Sequence, residues 1–480
     1  MEQTPVRNLP KHTRYADQYR RFGYFWGLGI EHETYVATSQ TRRITEFTAA
    51  NMKPERYSVS YYKNYRVVSL KPVLDAVIRR RGGALMIPVL MNCHSFTDCD
   101  VYGEHAMTYE RVPKPNPKYT GQTLFDWMCQ HSAWLRGEKG RVFMWDGDTV
   151  EFMTQQFYCA RVENVLRELR EGEARFVAEL ARMPRVGILA AYSPLRLATP
   201  ANEPWATYLT NPRGVSMFNN GTLHVNVTLP TRLGWNRQPL WFNDFVDRHR
   251  WLARLIQWWE PLWVAAYGSG DPLVASATAE ADDVSGHLYA AGSQRLAVSR
   301  YIGLGTYDTV TMPAGKILQV PRATVGPVPW YQDRGRGSGY EPLNVIGLDL
   351  NFNKHWAHGL ELRFFDQMPE AALREILLDL VVLMDCAQER LPVADPRTDV
   401  RWQRAATGAL YEGAHWVVEP EYLAALCDVM RVPATPKEPM YLGAALELVR
   451  REAEGRRGYC WDAMVGPPPP ASCCCPLGRS

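Results

Sequence analysis

The sequence predicts an α+β fold in which strands supply a polar working face and helices cover their apolar backs. Two observations carry that expectation. Four stretches alternate apolar and polar residues with the period of a half-buried strand, and the polar positions are Glu, His, Asn and Arg. Several longer stretches repeat apolar residues at helical spacing. Hydrophobic residues make up 46% and charged residues 22% of the 480, enough core for one large domain or two to three ordinary ones.

The opening strand, about 22–37, contains Gly27-Leu28-Gly29-Ile30-Glu31-His32-Glu33-Thr34 and organises the rest. Glu31 and Glu33 point to one side and Ile30 to the other. Two adjacent carboxylates repel unless a cation lies between them, and a hard metal ion is the natural relief. Ser69 to Arg81 reads as a helix with Leu70, Val73, Leu74 and Val77 on one face, stopped by Gly82-Gly83. Ala84 to Met91 is a buried strand. A short helix spans about Thr123 to Leu135, and Val142 to Thr154 reads as a strand or as a hairpin turning at Asp146-Gly147-Asp148.

Arg161 to Met183 is an amphipathic helix with Val162, Val165, Leu166, Leu169, Phe176 and Leu180 inward. Thr222 to Leu229 is a strand, and Leu240 to Tyr267 a helix expected to break near Glu260-Pro261. Residues 325–342, with Arg334-Gly335-Arg336-Gly337-Ser338-Gly339, read as a mobile loop. Gly359 to Asp366 is a strand. The helix after Pro369 carries Leu373, Ile376, Leu377, Leu380 and Met384. The domain plan is a loose arm over 1–21, a catalytic unit over 22–390, helical pieces over 391–466 and a low-complexity tail over 467–480.

A net charge of +3 offers no broad attraction for nucleic acid. The most apolar stretch, Trp251 to Tyr267, is interrupted by Arg254, Glu260 and Pro261, so no membrane span is expected. The start of the chain is polar, and the ten Cys lack zinc spacing. These features lead to an expectation of free thiols and a reducing, cytoplasmic setting.

Three further strands repeat the pattern of the first. Glu151 faces away from Val150 and Phe152. His224 and Asn226 share the face opposite Leu223, Val225 and Val227. Glu361 and Arg363 share the face opposite Leu360, Leu362 and Phe364. One cavity lined by these side chains would bring four carboxylates together, which calls for cations; Mg²⁺ fits and Mn²⁺ suits the His as well. An Arg among metal-bound carboxylates makes sense as a phosphate clamp. Taken singly, His224 reads as an ordinary core histidine and Glu361–Arg363 as a surface ion pair; the weight lies in the set.

In this order the motifs resemble those of glutamate–cysteine ligases and related amidoligases, which share the catalytic fold of glutamine synthetase. Gly29-Ile30-Glu31-His32-Glu33 resembles their first active-site strand, Glu151-Phe152-Met153-Thr154 their Glu-Phe-(Ile/Val)-Thr strand, and Leu223-His224-Val225-Asn226 their His-x-Asn strand. Tyr267 to Pro272, Ser299 to Tyr307 and Glu361-Leu362-Arg363 resemble three later segments. The chain departs from the family in three places. The separation of Glu33 from Glu151 implies an insertion at about 38–140 and makes Glu46 a rival for the role of Glu151. Gly-Asp stands in the 268–272 segment where the family has Ala-Ser, and the region beyond 390 has no counterpart.

The resemblance implies a curved, mainly antiparallel sheet lining a funnel, with helices on its outer face. It implies an ATP- and Mg²⁺-dependent ligase joining a glutamate-like carboxylate to an amine through an acyl phosphate. Glu31, His224 and Glu361 would hold one metal and Glu33 and Glu151 another. Arg363 and Arg300 would stabilise the transferring phosphoryl group, with Asn226 near the nucleotide. A guanidino-kinase-like phosphotransferase of the same fold, or a non-catalytic nucleotide-binding scaffold, would use nearly the same residues.

Overall fold

A computed structural model describes residues 24–46, 78–79, 81–91, 123–146, 149–157, 159–185, 189–198, 206–208, 211–216, 223–232, 240–269, 292–293, 342–343, 346–350, 360–389, 391–396, 399–434 and 436–466. The described strands are β1 (Tyr24–Thr34), β2 (Val36–Ile44), β3 (Leu85–Met91), β4 (Phe143–Asp146), β5 (Thr149–Met153), β6 (Arg196–Leu197), β7 (Ala206–Tyr208), β8 (Asn211–Ser216), β9 (Leu223–Arg232), β10 (Pro342–Leu343), β11 (Ile346–Leu350), β12 (Leu360–Phe365), β13 (Val417–Val418) and β14 (Met440–Tyr441). The α-helices are α1 (Leu124–His131), α2 (Ala133–Glu138), α3 (Val162–Arg182), α4 (Leu189–Tyr192), α5 (Phe242–Tyr267), α6 (Glu370–Gln388), α7 (Val400–Glu412), α8 (Pro420–Met430), α9 (Leu442–Ala453) and α10 (Tyr459–Met464). The fold is α+β. Strands run β10-β11-β12-β9-β1-β5-β4 in the larger sheet, every neighbour antiparallel. A second sheet runs β6-β2-β3-β7-β8, and β3–β7 is its parallel pair.

The expected single strand over about 22–37 is two strands. β1 stops at Thr34 and β2 begins at Val36 in the other sheet. The cause is local: Thr34, Tyr35, Val36 and Ala37 are all buried, so the in–out alternation lapses where the chain passes between sheets. The helix over 123–135 is likewise two. Ser132 interrupts it, and its Oγ accepts from Leu135 N at 3.1 Å to start α2. Of the helix expected over 69–81, only Ile78 and Arg79 are described as helical. Gly82 and Gly83 follow with φ of 77° and 83°, a left-handed stop that glycine takes readily.

The expected break at Glu260-Pro261 does not occur; α5 runs unbroken through Pro261. Proline removes the donor that the Gln257 carbonyl would use. Trp402 Nε1 supplies a replacement at 2.7 Å, and the Tyr422 hydroxyl donates to the next carbonyl, Trp258 O, at 2.6 Å. Side chains from α7 and α8 thus satisfy what proline leaves open.

α5 is buried among the other elements. Its sheet side meets β9, where Leu229 N donates to His249 Nε2 at 3.0 Å and His249 Nδ1 faces Phe245 O at 2.7 Å. That pair of partners fixes His249 as the neutral Nδ1–H form. Its other side meets the C-terminal helices. Leu28, Ile30, Val150, Phe152, Val225, Val227, Leu360 and Leu362 share one apolar core with α3, α5, α6 and the helices to Met464. Asp379 on α6 accepts from Arg450 on α9 and from Trp263 on α5. Asp385 accepts from the main-chain N–H groups of Gly458, Cys460 and Trp461 at the start of α10. Among the described residues no helix is long and apolar enough to cross a membrane. Five described cysteines are free thiols.

Candidate metal centre

Register decides what the polar face holds. Residues directly opposite each other in an antiparallel pair share a face. Glu31 lies opposite His224, Glu33 opposite Glu151, and Glu361 opposite Asn226. Three separate pairings therefore bring Glu31, Glu33, Glu151, His224, Asn226 and Glu361 to one side of the larger sheet. The opposite side carries Ile30, Val150, Phe152, Val225 and Leu362, which enter the core.

The centre of the group is tight. His224 Nδ1 is 3.5 Å from Glu31 Oε2 and 3.7 Å from Glu361 Oε1, and His224 Nε2 is 3.8 Å from Glu33 Oε1. One ligand atom each from Glu31, His224 and Glu361 lies within 4.8 Å of the others, a span bridged by a cation with bonds of about 2.1–2.6 Å. Glu361 is 0% and His224 1% exposed, whereas the Glu33 side chain is 15% exposed. Two carboxylates and an imidazole lie deep, and a third carboxylate, Glu33, stands nearer to solvent. Carboxylates withdrawn from water at this spacing need positive charge, and the donor set of oxygen and imidazole nitrogen suits Mg²⁺ or Mn²⁺.

A loop closes the other half of the face. Gly27 and Gly29 share the side of Glu31, and the Phe157 ring lies across them. A Cβ at Gly27 would stand 2.1 Å from that ring, and one at Gly29 2.9 Å. The loop keeps pairing with β1: Thr154 N donates to Ile30 O, Leu28 N to Phe157 O and Cys159 N to Trp26 O. Glycine serves close approach here, and the face beyond Glu31 is filled by the aromatic ring.

Other expected residues fall elsewhere. Glu46 follows β2 in the second sheet and is exposed, away from Glu33; Glu151 is buried opposite Glu33. Arg363 lies in β12 at an irregularity in the pairing between Leu362 and Phe365, and its side chain is outside the described residues. Arg300, the 334–339 loop and Asp271-Pro272 are also outside the described residues.

His32 and its partner Gln367 had no assigned role from sequence. His32, between the two carboxylates, points to the opposite side, with Nδ1 2.5 Å from Glu173 Oε1 and Nε2 2.9 Å from Gln367 Oε1. Burial alone would push its pKa down. The hydrogen bond and charge of Glu173, with the Gln367 contact, outweigh burial, and the net direction is up. The Glu-His-Glu alternation already implied a third polar group on the apolar side of the strand, which was the available signal.

Fold and site together define an α+β protein with a buried carboxylate–imidazole cluster on an antiparallel sheet. Over 430 residues the chain is 31% identical to an uncharacterized protein of Acanthamoeba polyphaga mimivirus, covering 87% of this chain and 73% of that one. The chain belongs to the family of that viral protein. No protein-family model matches it, and no solved structure does.

Proposed function

We propose that the buried face binds divalent cations that carry ATP, and that the chain is an ATP-dependent carboxylate–amine ligase with a glutamine-synthetase-like funnel. The observation that carries this reading is the meeting of Glu31, His224 and Glu361, from three strands far apart in sequence, within 4.8 Å and almost wholly buried. Glu31, His224 and Glu361 would hold one cation, and Glu33 with Glu151 a second. When bound, the cations would neutralise phosphate charge.

The chain's own residues then position reactants. Asn226, buried between Gly29 and Glu361 in the pairing, offers an amide to the nucleotide or to a cation-held water. Arg363 and Arg300 are assigned to the transferring phosphoryl group by resemblance. In the proposed reaction a substrate carboxylate oxygen attacks the γ-phosphorus of ATP and ADP leaves. An amine nitrogen then attacks the acyl carbon, phosphate leaves, and the amine gives up a proton. Exclusion of water protects the acyl phosphate.

The test is turnover with ATP and Mg²⁺ or Mn²⁺ against a panel of carboxylic acids, amino acids and polyamines. The expected products are ADP, inorganic phosphate and a new amide in equal amounts. ADP with a stable phosphorylated acceptor would replace this reading by a phosphotransferase. Absence of both turnover and metal-dependent ATP binding would remove it.

A further inference from the structure

Two of the strands that carry carboxylates of the proposed cation site do not touch. β1 carries Glu31 and Glu33, β12 carries Glu361, and β9 lies between them. β9 sets their spacing where it pairs with both, but its pairing with β12 turns irregular between Leu362 and Phe365 at the end where β9 begins. Leu223, the first described residue of β9, pairs with His32 on one side and Phe365 on the other. Two residues beyond Phe365, the Gln367 side chain reaches β1. Its Nε2 donates to the Glu33 carbonyl at 2.7 Å, and its Oε1 meets His32 Nε2 at 2.9 Å.

A carbonyl oxygen only accepts, so the contact with Glu33 O fixes which end of the Gln367 amide points where. His32 Nε2 is then the donor to Gln367 Oε1. The far side of His32 is held by Glu173 on α3, at 2.5 Å. The Gln367 main chain is held too: its carbonyl accepts from Ser269 Oγ at 3.1 Å, and neighbouring Asp366 Oδ2 accepts from Ser269 N at 3.2 Å. Gln367 is 2% exposed. A buried amide gripped by β1, α3 through His32, and the end of α5 has little freedom to turn.

We propose that Gln367 is a positioning residue for the cation site, holding the strand of Glu31 and Glu33 at a set span from the strand of Glu361. The inference rests on the cation-binding reading above. Its consequence is selectivity. Mg²⁺ demands ligands near 2.0–2.1 Å in strict geometry, whereas Ca²⁺ accepts 2.3–2.6 Å in a flexible shell. Loosening the strap disfavours the small ion more than the large one.

The experiment measures Mg²⁺ and Ca²⁺ affinity, by displacement of Mn²⁺, in the full-length protein and in Gln367→Glu and Gln367→Ala. The Glu variant keeps the volume and the acceptor for His32 but has no donor for the Glu33 carbonyl. Mg²⁺ affinity is expected to fall by about tenfold or more, the usual effect of losing a residue that orients a ligand. Ca²⁺ affinity should fall much less. Folded variants with an unchanged Mg²⁺/Ca²⁺ ratio, including equal loss of both ions in step with lost thermal stability, overturn the proposal. Wild type that binds none of the three ions overturns the cation reading itself, a different result from a wild type that binds and a variant that does not differ. Should neither Gln367 variant fold, Glu173→Ala, at a side chain 26% exposed, removes the acceptor that holds His32 from the other side. It should move the same ratio in the same direction, and an unchanged ratio overturns the proposal.

Discussion

Glu361→Gln should stabilise the metal-free protein while destroying its response to metal. The wild-type face holds Glu361 and Glu31 with ligand atoms within 4.8 Å of one another, and both are almost fully buried. At an effective dielectric of about 20, two unit charges at the outer limit of that range repel by about 3.5 kcal/mol. His224, 3.5 and 3.7 Å from the two carboxylates, offsets part of this. Glutamine keeps the shape and a carbonyl acceptor but removes one charge, so a net gain of about 1–2 kcal/mol in the metal-free state is expected. At about 2 °C per kcal/mol for a large domain, the melting temperature in excess chelator should rise by about 2–4 °C. Adding Mn²⁺ reverses the order. Wild type gains about 2.7 kcal/mol at a metal concentration 100 times its Kd, and the variant gains little. The assay is thermal unfolding with chelator and with a Mn²⁺ series. A variant that melts below wild type in chelator and still gains fully with Mn²⁺ would refute the reasoning.

Three other outcomes follow from the geometry. Gly27→Ala places a Cβ 2.1 Å from the buried Phe157 ring, so a loss of about 1–3 kcal/mol is expected in denaturant unfolding. Phe157→Leu in the same chain should recover part of it, and strict additivity would deny the contact. Burial raises the pKa of Glu260 well above its ordinary 4.5. The folded state therefore keeps a proton that the unfolded state releases, and stability should decline as pH rises above the ordinary value, by up to about 1.4 kcal/mol per pH unit, until the folded carboxyl ionises. Glu260→Gln should flatten that decline, and an unchanged pH profile would count against it. Arg450→Met strands the buried Asp379 carboxylate, which it now meets at 2.7 Å. A loss of about 3–5 kcal/mol is expected, with Asp379→Asn in the same chain restoring much of it in the double-mutant cycle.

The candidate site was legible because a strand writes its faces directly into sequence. His224, Asn226 and Glu361 alternate with apolar neighbours, Glu31 and Glu33 share strand parity across His32, and the pairing register brings all five onto the same side. Order and neighbours of strands depend on long-range contacts, so nothing in the first strand announced that Tyr35 carries the chain into another sheet. Pro261 misled for a similar reason. Its local rule holds, but Trp402 and Tyr422, more than 140 residues away, supply the donors that keep α5 whole. The second sheet and the joining of the C-terminal helices to the main core were likewise invisible to periodicity. His32 and Gln367 lie 335 positions apart and become partners only in the fold.

Calorimetric titration of Mn²⁺ into metal-free protein, followed by ATP, tests the buried centre most directly. Wild type should take up Mn²⁺ and then bind ATP at least about tenfold more tightly than it does in chelator, a coupling of about 1.4 kcal/mol. Glu31→Ala and Glu361→Ala, folded, should lose both the Mn²⁺ heat and the coupling. Metal uptake and ATP affinity left intact in those two variants would contradict the centre assigned here.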